Sequence, residues 1–258
     1  MNSSFDSFLS RSTFSNNPVT PLSLLPDNIS KKQGVVIVWR DFARRMVEVV
    51  RMNGVRDGEV LRVLGEVPRH LFIPSLRGPC EAGDQGALRT AYGDHPLPIG
   101  FGQTISQPTM VGRMTELLSP EPPVRVLEVG SGCGYQCAVL ARMGCSVVGV
   151  ERIRDLADWS REVLGGLGME VSIIHGDGRA LGGDLGPFDG IVVSAGCSRE
   201  DAEGIFGAFG GDGCRMVAPV NVGGGLQRVL VLEMEGGEVR ESWQDLCRFV
   251  PLLGGVEG

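Results

Sequence analysis

The sequence predicts an α/β fold built on a doubly wound, mostly parallel sheet, with helices placed ahead of it. Three observations lead there. From Val124 onward, six short β-prone runs alternate with helical patterns. The first of these runs feeds directly into a glycine loop and then a helix. Upstream of them, apolar residues recur at helical rather than strand spacing.

Taken in chain order, residues 1–33 are rich in Ser, Asn and Pro with no sustained period, and read as a disordered tail. They lack the continuous apolar core of a secretory signal. Val35, Val38, Trp39, Phe42, Met46, Val49 and Val50 mark one face of a helix running to Met52. Asp57 precedes a shorter periodic run through Val60, Leu61 and Leu64, which predicts a second, capped helix ending at Gly65 to Pro68. The stretch from Pro74 to Thr90, with its glycines and charges, reads as a flexible surface insertion. Met110 to Leu118 predicts a third helix, stopped by Ser119 and the prolines that follow. Strands are expected at Val124 to Val129, Ser146 to Val150, Val171 to Ile174, Gly190 to Val193, Cys214 to Pro219 and Arg228 to Met234. The organisation expected is a tail over 1–33 and one domain over 34–258, with N-terminal helices to residue 90 and a cofactor-binding core from 91.

Composition narrows the function classes. The chain has 258 residues and a net charge of −7, which argues against electrostatic capture of nucleic acid. No apolar run approaches the roughly 18 to 20 residues of a membrane-spanning helix. Seven scattered Cys suggest reduced thiols in a cytoplasmic setting rather than a disulfide framework. Cys133 and Cys137 lack zinc-like spacing and no second Cys/His pair accompanies them, so no metal is expected.

The run Val124 to Val129 leads into Gly130-Ser131-Gly132-Cys133-Gly134, and Gln136 to Met143 follows as a helix. Glycines allow positive φ and close approach of a ligand to the backbone, and the helix terminus offers unpaired N–H groups. Alone, such a loop serves a tight turn, a dinucleotide or adenosylmethionine. Glu128, just before it, would repel a pyrophosphate but suits ammonium and sulfonium groups. Glu151 ends the second strand, where a carboxylate accepts from both ribose hydroxyls. Asp177, with Gly178 after the third strand, could accept from an adenine amino group. Each acid alone also reads as a helix cap or a solvated loop residue. Together, at three successive strand ends, they point to S-adenosyl-L-methionine as the cofactor.

Further motifs carry a family resemblance. Val67-Pro-Arg-His-Leu-Phe72, Pro96 to Pro108 with its Gly-Gln-Thr-Ile-Ser-Gln-Pro string, Met114 to Leu118, the glycine loop, Val150-Glu-Arg-Ile153, His175-Gly-Asp-Gly178, Pro187-Phe-Asp189 and Arg248-Phe-Val-Pro-Leu252 resemble the protein-L-isoaspartate O-methyltransferase family over about Val47 to Leu252. The resemblance implies a methyltransferase of the Rossmann-like, S-adenosylmethionine-dependent type. It would methylate the α-carboxylate of L-isoaspartyl residues in damaged proteins, as a step of repair through a succinimide. It further implies Ser106 as the active-site residue, with Thr104, Ile105, Glu128, Gly130, Ser131, Gly132, Gly134, Glu151, Arg152, Asp177, Gly178 and Gln227 around the cofactor. Ser106 has no activating His or Lys adjacent in sequence, so it would orient the substrate rather than attack it. Its position before Pro108 equally suits a helix cap. His70 and His175 are read as packing or loop-satisfying residues, and Arg69 as structural. The expected state is a cytoplasmic monomer whose partners are isoaspartyl-containing proteins or peptides, with no nucleic acid and no membrane.

The chain departs from the family after the fourth strand. There Ser194-Ala-Gly-Cys-Ser-Arg-Glu-Asp201 replaces an Ala/Pro-rich turn. This loop bears on substrate preference and leaves two alternatives to repair. One is a relative that methylates an aspartate of a dedicated precursor peptide. The other is a non-catalytic adenosylmethionine-binding or interaction protein.

Overall fold

The computed structural model describes residues 39–182 and 185–258. The tail expected over 1–33, and Val35 and Val38 of the first helical face, lie outside the described residues. Helix α1 (Trp39–Met52) buries Trp39, Ala43, Met46, Val47 and Val50, so Trp39, Met46 and Val50 of the expected stripe reach the core while Phe42 and Val49 are half-buried. Helix α2 (Gly58–Glu66) is capped as expected, because Asp57 Oδ1 accepts from Glu59 N at 2.8 Å and Val60 N at 3.0 Å.

The stretch expected to be a flexible insertion is folded instead. After a 3₁₀ turn at Arg69–Phe72 come α3 (Pro74–Glu81) and α4 (Gln85–Ala91). Pro74 starts α3 where its missing N–H costs nothing. Asp84 caps α4 through Gly86 N at 2.7 Å and Ala87 N at 3.0 Å. Cys80, Ala87, Leu88 and Ala91 go into the core. Two helices this short expose too little periodicity for the sequence pattern to register.

A separate antiparallel hairpin follows, β1 (Leu97–Gly100) with β2 (Gln103–Ile105), and then α5 (Pro108–Leu118). The main sheet contains β3 (Arg125–Val129), β4 (Ser146–Glu151), β5 (Val171–His175), β6 (Phe188–Val193), β7 (Gly210–Gly223), β8 (Leu226–Glu235) and β9 (Glu238–Cys247). Its order is β5-β4-β3-β6-β7-β8-β9. The first five run parallel, while β8 and β9 are added antiparallel. The edge strand β9 is absent from the sequence reading because its residues are mostly exposed and show no apolar alternation; it is held by backbone pairing with β8, and Trp243 and Cys247 pack on the cores.

Alternate residues of each strand feed two cores. Val126, Val147, Val192 and Val217 pack with the N-terminal helices, with α5, and with α6 (Tyr135–Arg142) and α7 (Arg154–Gly166). Leu127, Val148, Ile191 and Met216 face the opposite layer, where α8 (Arg199–Phe209) contributes Ile205, Phe206 and Phe209. A period of two across a doubly covered sheet produces this division. Among the described residues no helix is long and apolar enough to cross a membrane.

Candidate active site

Strand order reverses between β3 and β6, and the carboxyl ends of β3, β4 and β6 open on one cleft at that point. Gly130 and Gly132, with φ of 78° and 53°, form its floor. Their loop is fastened to β4 because Gly130 N and Ser131 N both donate to Val150 O, at 2.9 and 3.0 Å. Gly134 (φ 84°) begins α6, and a Cβ there would stand 3.0 Å from Ser160 Cβ of α7, so glycine is needed for both turn and packing.

The two acids beside the loop do different work. Glu151 lines the cleft and is 5% exposed; its Oε2 accepts from Gly132 N at 2.8 Å and its Oε1 from Ile153 N at 2.9 Å. It therefore buttresses the loop, and an ionised carboxylate still has lone pairs for ligand hydroxyls. Glu128 lies behind the loop, 1% exposed, where Ser194 Oγ donates to Oε1 at 2.7 Å and Cys137 Sγ to Oε2 at 2.8 Å. Burial pushes its carboxyl up to about 7 in spite of both donors. Glu128 does not line the cleft, but Ser194, which is hydrogen-bonded to it, does. Sequence reading placed Ser194 only in the divergent loop, since its partner lies 66 residues away.

The C-terminal segment accounts for three other expected cofactor residues. Val250, Pro251, Leu252 and Leu253 form a wall of the cleft. Gly196 N donates to Val250 O and Leu252 N to Gly196 O, both at 2.8 Å. Gln227 holds this strap by accepting from Phe249 N at 2.7 Å. Asp177, expected to meet adenine, accepts from Gly255 N at 2.6 Å and Arg179 N at 3.0 Å. Burial pushes its carboxyl up, but these backbone donors and Arg179 outweigh it and leave it below the usual range. Arg152 pairs with Glu257 at 2.8 Å and donates to Gly255 O at 3.1 Å, although it still borders the cleft. His175 Nε2 lies 3.0 Å from Glu257 O, a loop-satisfying contact as expected.

On the opposite side, Gln103 and Thr104 of the hairpin line the cleft. Ile105, only 2% exposed, packs in the core and does not line the cleft. Gly178 is on the cleft wall, and a Cβ there would meet Val129 Cγ1 at 2.4 Å. Ser131 is buried and its Oγ has no partner. Ser106 is half-buried and does not cap α5. Gln107 is the N-cap residue, and Asp94 Oδ1 accepts from Thr109 N at 2.8 Å in place of a serine cap. The structural role open to Ser106 from sequence is thus filled by Asp94. His70 Nδ1 meets Tyr92 Oη at 2.7 Å, and burial lowers its pKa to about 4, so it stays neutral and structural.

The divergent loop has its own logic. Ser198 and Asp201 form a reciprocal capping box at the start of α8, with Asp201 N donating to Ser198 Oγ at 3.0 Å. Capping thus starts this helix without the prolines.

This donor set fits adenosylmethionine. Glycines leave room for a flat nucleoside, Glu151 keeps lone pairs that could accept from its hydroxyls, and the buried Glu128 carries the sign of charge that suits a cation. A pyrophosphate would instead face two acids, with Arg152 already paired to Glu257.

Comparison with known proteins agrees. A family model described as protein-L-isoaspartate(D-aspartate) O-methyltransferase matches residues 42–257. A protein-L-isoaspartate O-methyltransferase of Methanoregula boonei is 46% identical over 216 residues, covering 83% of this chain and 94% of the relative. That of Alkalilimnicola ehrlichii is 40% identical over 228 residues, covering 88% and 98%. A solved protein-L-isoaspartate O-methyltransferase superposes with TM-score 0.70 at 25% identity, covering 84% of this chain and 67% of the other. These matches do not favour a precursor-peptide methyltransferase or a non-catalytic binding protein. The chain belongs to the protein-L-isoaspartate(D-aspartate) O-methyltransferase family.

Proposed function

We propose that this protein transfers a methyl group from S-adenosyl-L-methionine to the α-carboxylate of L-isoaspartyl residues in damaged proteins, initiating repair through a succinimide. The observation that carries this reading is the hairpin bearing Thr104 and leading into Ser106, set against a glycine-loop cleft with a buried acid behind it. Bound adenosylmethionine supplies an electrophilic methyl group. The accepting carboxylate is already ionised at neutral pH, so the chain needs no strong base. Its task is to hold oxygen and methyl carbon in line and to keep water out. Ser106, relieved of capping duty, donates its hydroxyl to a substrate carboxylate oxygen. Gln103 and Thr104 close one side of the cleft, and Val250 to Leu253 supply an apolar wall on another. Glu151 accepts from the ribose hydroxyls, and Ser194, held by Glu128, presents its oxygen toward the cation. The N-terminal helices and the sheet work as one methyltransferase domain.

Seven unpaired cysteines, six of them buried, support a reducing, cytoplasmic setting, and we read the protein as acting as a monomer. The test is incubation with radiolabelled adenosylmethionine and matched peptides carrying L-isoaspartate, D-aspartate or L-aspartate, followed by measurement of base-labile methyl ester. Strong labelling of L-isoaspartate is expected. Labelling confined to L-aspartate would overturn the repair reading.

A further inference from the structure

The turn of the β1–β2 hairpin contains a residue that folding alone does not explain. Phe101 has φ 54°, and it is one of only two non-glycine residues with positive φ among those described. The other, Ser119, ends α5 as a left-handed cap, an ordinary use of that conformation. Phe101 sits between Gly100 (φ 98°) and Gly102 (φ 70°), so three consecutive residues are left-handed. For an aromatic residue this conformation is unfavourable, because Cβ crowds the following carbonyl.

Burial does not compensate for the strain. Phe101 is 54% exposed, whereas Ile99 and Ile105 of the same hairpin are buried at 4% and 2%. The hairpin is its own two-stranded sheet, and Ile99, Gln103 and Thr104 on either side of the turn line the cleft. Gln103 Nε2 donates to Phe101 O at 3.2 Å, which ties the turn to a cleft residue. Across the cleft, Leu253 is 47% exposed and lines the wall. A strained, exposed aromatic at the rim of a site is a feature that function, rather than stability, retains.

We infer that Phe101 is a specificity-determining residue, whose ring packs on an apolar or aromatic side chain flanking the isoaspartyl residue of the bound peptide. The inference rests on the isoaspartyl reading above and adds the chemistry of the neighbouring residue. An exposed aromatic edge gains by covering apolar surface, and the hairpin fixes it before the peptide arrives.

The test compares two isoaspartyl peptides, one with leucine or phenylalanine flanking the isoaspartate and one with glycine there. Wild-type protein is expected to show a KM roughly tenfold lower for the apolar-flanked peptide, the worth of covering part of one large side chain. Phe101→Asn removes the ring, yet asparagine tolerates the left-handed conformation, so the turn survives. In this variant the KM ratio should collapse toward one, while S-adenosylhomocysteine binding measured by calorimetry is unchanged. Phe101→Tyr should restore the ratio. A ratio preserved in Phe101→Asn overturns the inference, as does a weakening of cofactor binding in parallel with KM, which would make the residue structural. Failure of the isoaspartyl reading itself would show separately, as no methyl ester from either peptide in the wild-type protein.

Discussion

Replacing Glu128 by glutamine removes the charge but keeps the shape, and its consequence for stability can be worked out with sign and size. The carboxyl stands at about 7 in the folded protein against 4.5 for an ordinary glutamate, because burial disfavours its charged form. Below pH 4.5 it is protonated in both folded and unfolded chains and costs nothing. As pH rises from 4.5 toward 7, the unfolded chain loses its proton while the folded one retains it, so stability falls across that window. Above pH 7 both states are ionised and the full penalty persists. At about 1.4 kcal/mol per tenfold change in proton affinity, the penalty is about 3 kcal/mol. Glutamine has no such dependence, and it keeps both contacts: its oxygen accepts from Cys137 Sγ and its amide donates to Ser194 Oγ. Glu128→Gln should therefore gain about 3 kcal/mol relative to wild type between pH 4.5 and pH 8. For a domain of this size that corresponds to roughly 6 to 12 °C in Tm. Urea unfolding at a series of pH values provides the assay. A difference between the two proteins that does not change with pH would refute the burial argument. The same substitution should weaken S-adenosyl-L-methionine binding at pH 8, where wild-type Glu128 is charged, so stability and cofactor affinity should move in opposite directions.

Three further outcomes are expected. Ser106→Ala should lower turnover roughly ten- to hundredfold, the loss of one hydrogen bond to a charged group, with the calorimetric Kd for S-adenosylhomocysteine unchanged; a normal kcat would remove Ser106 from the mechanism. Glu151→Ala leaves Gly132 N and Ile153 N without their acceptor, so it should both weaken cofactor binding at least tenfold and reduce stability by about 1 to 3 kcal/mol; an unchanged Kd would count against its place beside the ribose. Gly178→Ala drives a methyl group to within 2.4 Å of Val129 Cγ1 at the end of β3. It should cost about 1 to 3 kcal/mol in chemical denaturation; a neutral result would mean that the loop after β5 yields easily.

What the sequence made legible follows from the range of the forces involved. The sheet and glycine loop were readable because they depend on local demands: apolar runs broken by turns, and positive φ at Gly130, Gly132 and Gly134. The hairpin β1–β2 and the edge strand β9 were not, since one is three to four residues per strand and the other is mostly exposed. The stretch from Pro74 to Thr90 was misread because its helices are specified by two local starts, Pro74 and the Asp84 cap, and by burial supplied from elsewhere. Site residues divide along the same line. Glu151 binds its own neighbour Ile153 and the loop 19 residues back, close to what a motif shows. Asp177 is held by Gly255, 78 residues on, and no local pattern announces that.

This division bears on how the site handles charge. The acid whose charge best suits the sulfonium ligand, Glu128, is not on the cleft wall, and Asp177 and Arg152 at the rim are engaged by the strap. A buried carboxyl near 7 becomes charged readily when a cation stands in front of Ser194, because that cation lowers the cost of ionisation. Cys137 and Cys133 cannot compensate as anions, since burial raises both thiols and the charge of Glu128 raises them further. The negative charge is therefore greatest when the cofactor is present, and the penalty that Glu128→Gln should relieve is the stability that the fold gives up to hold it there.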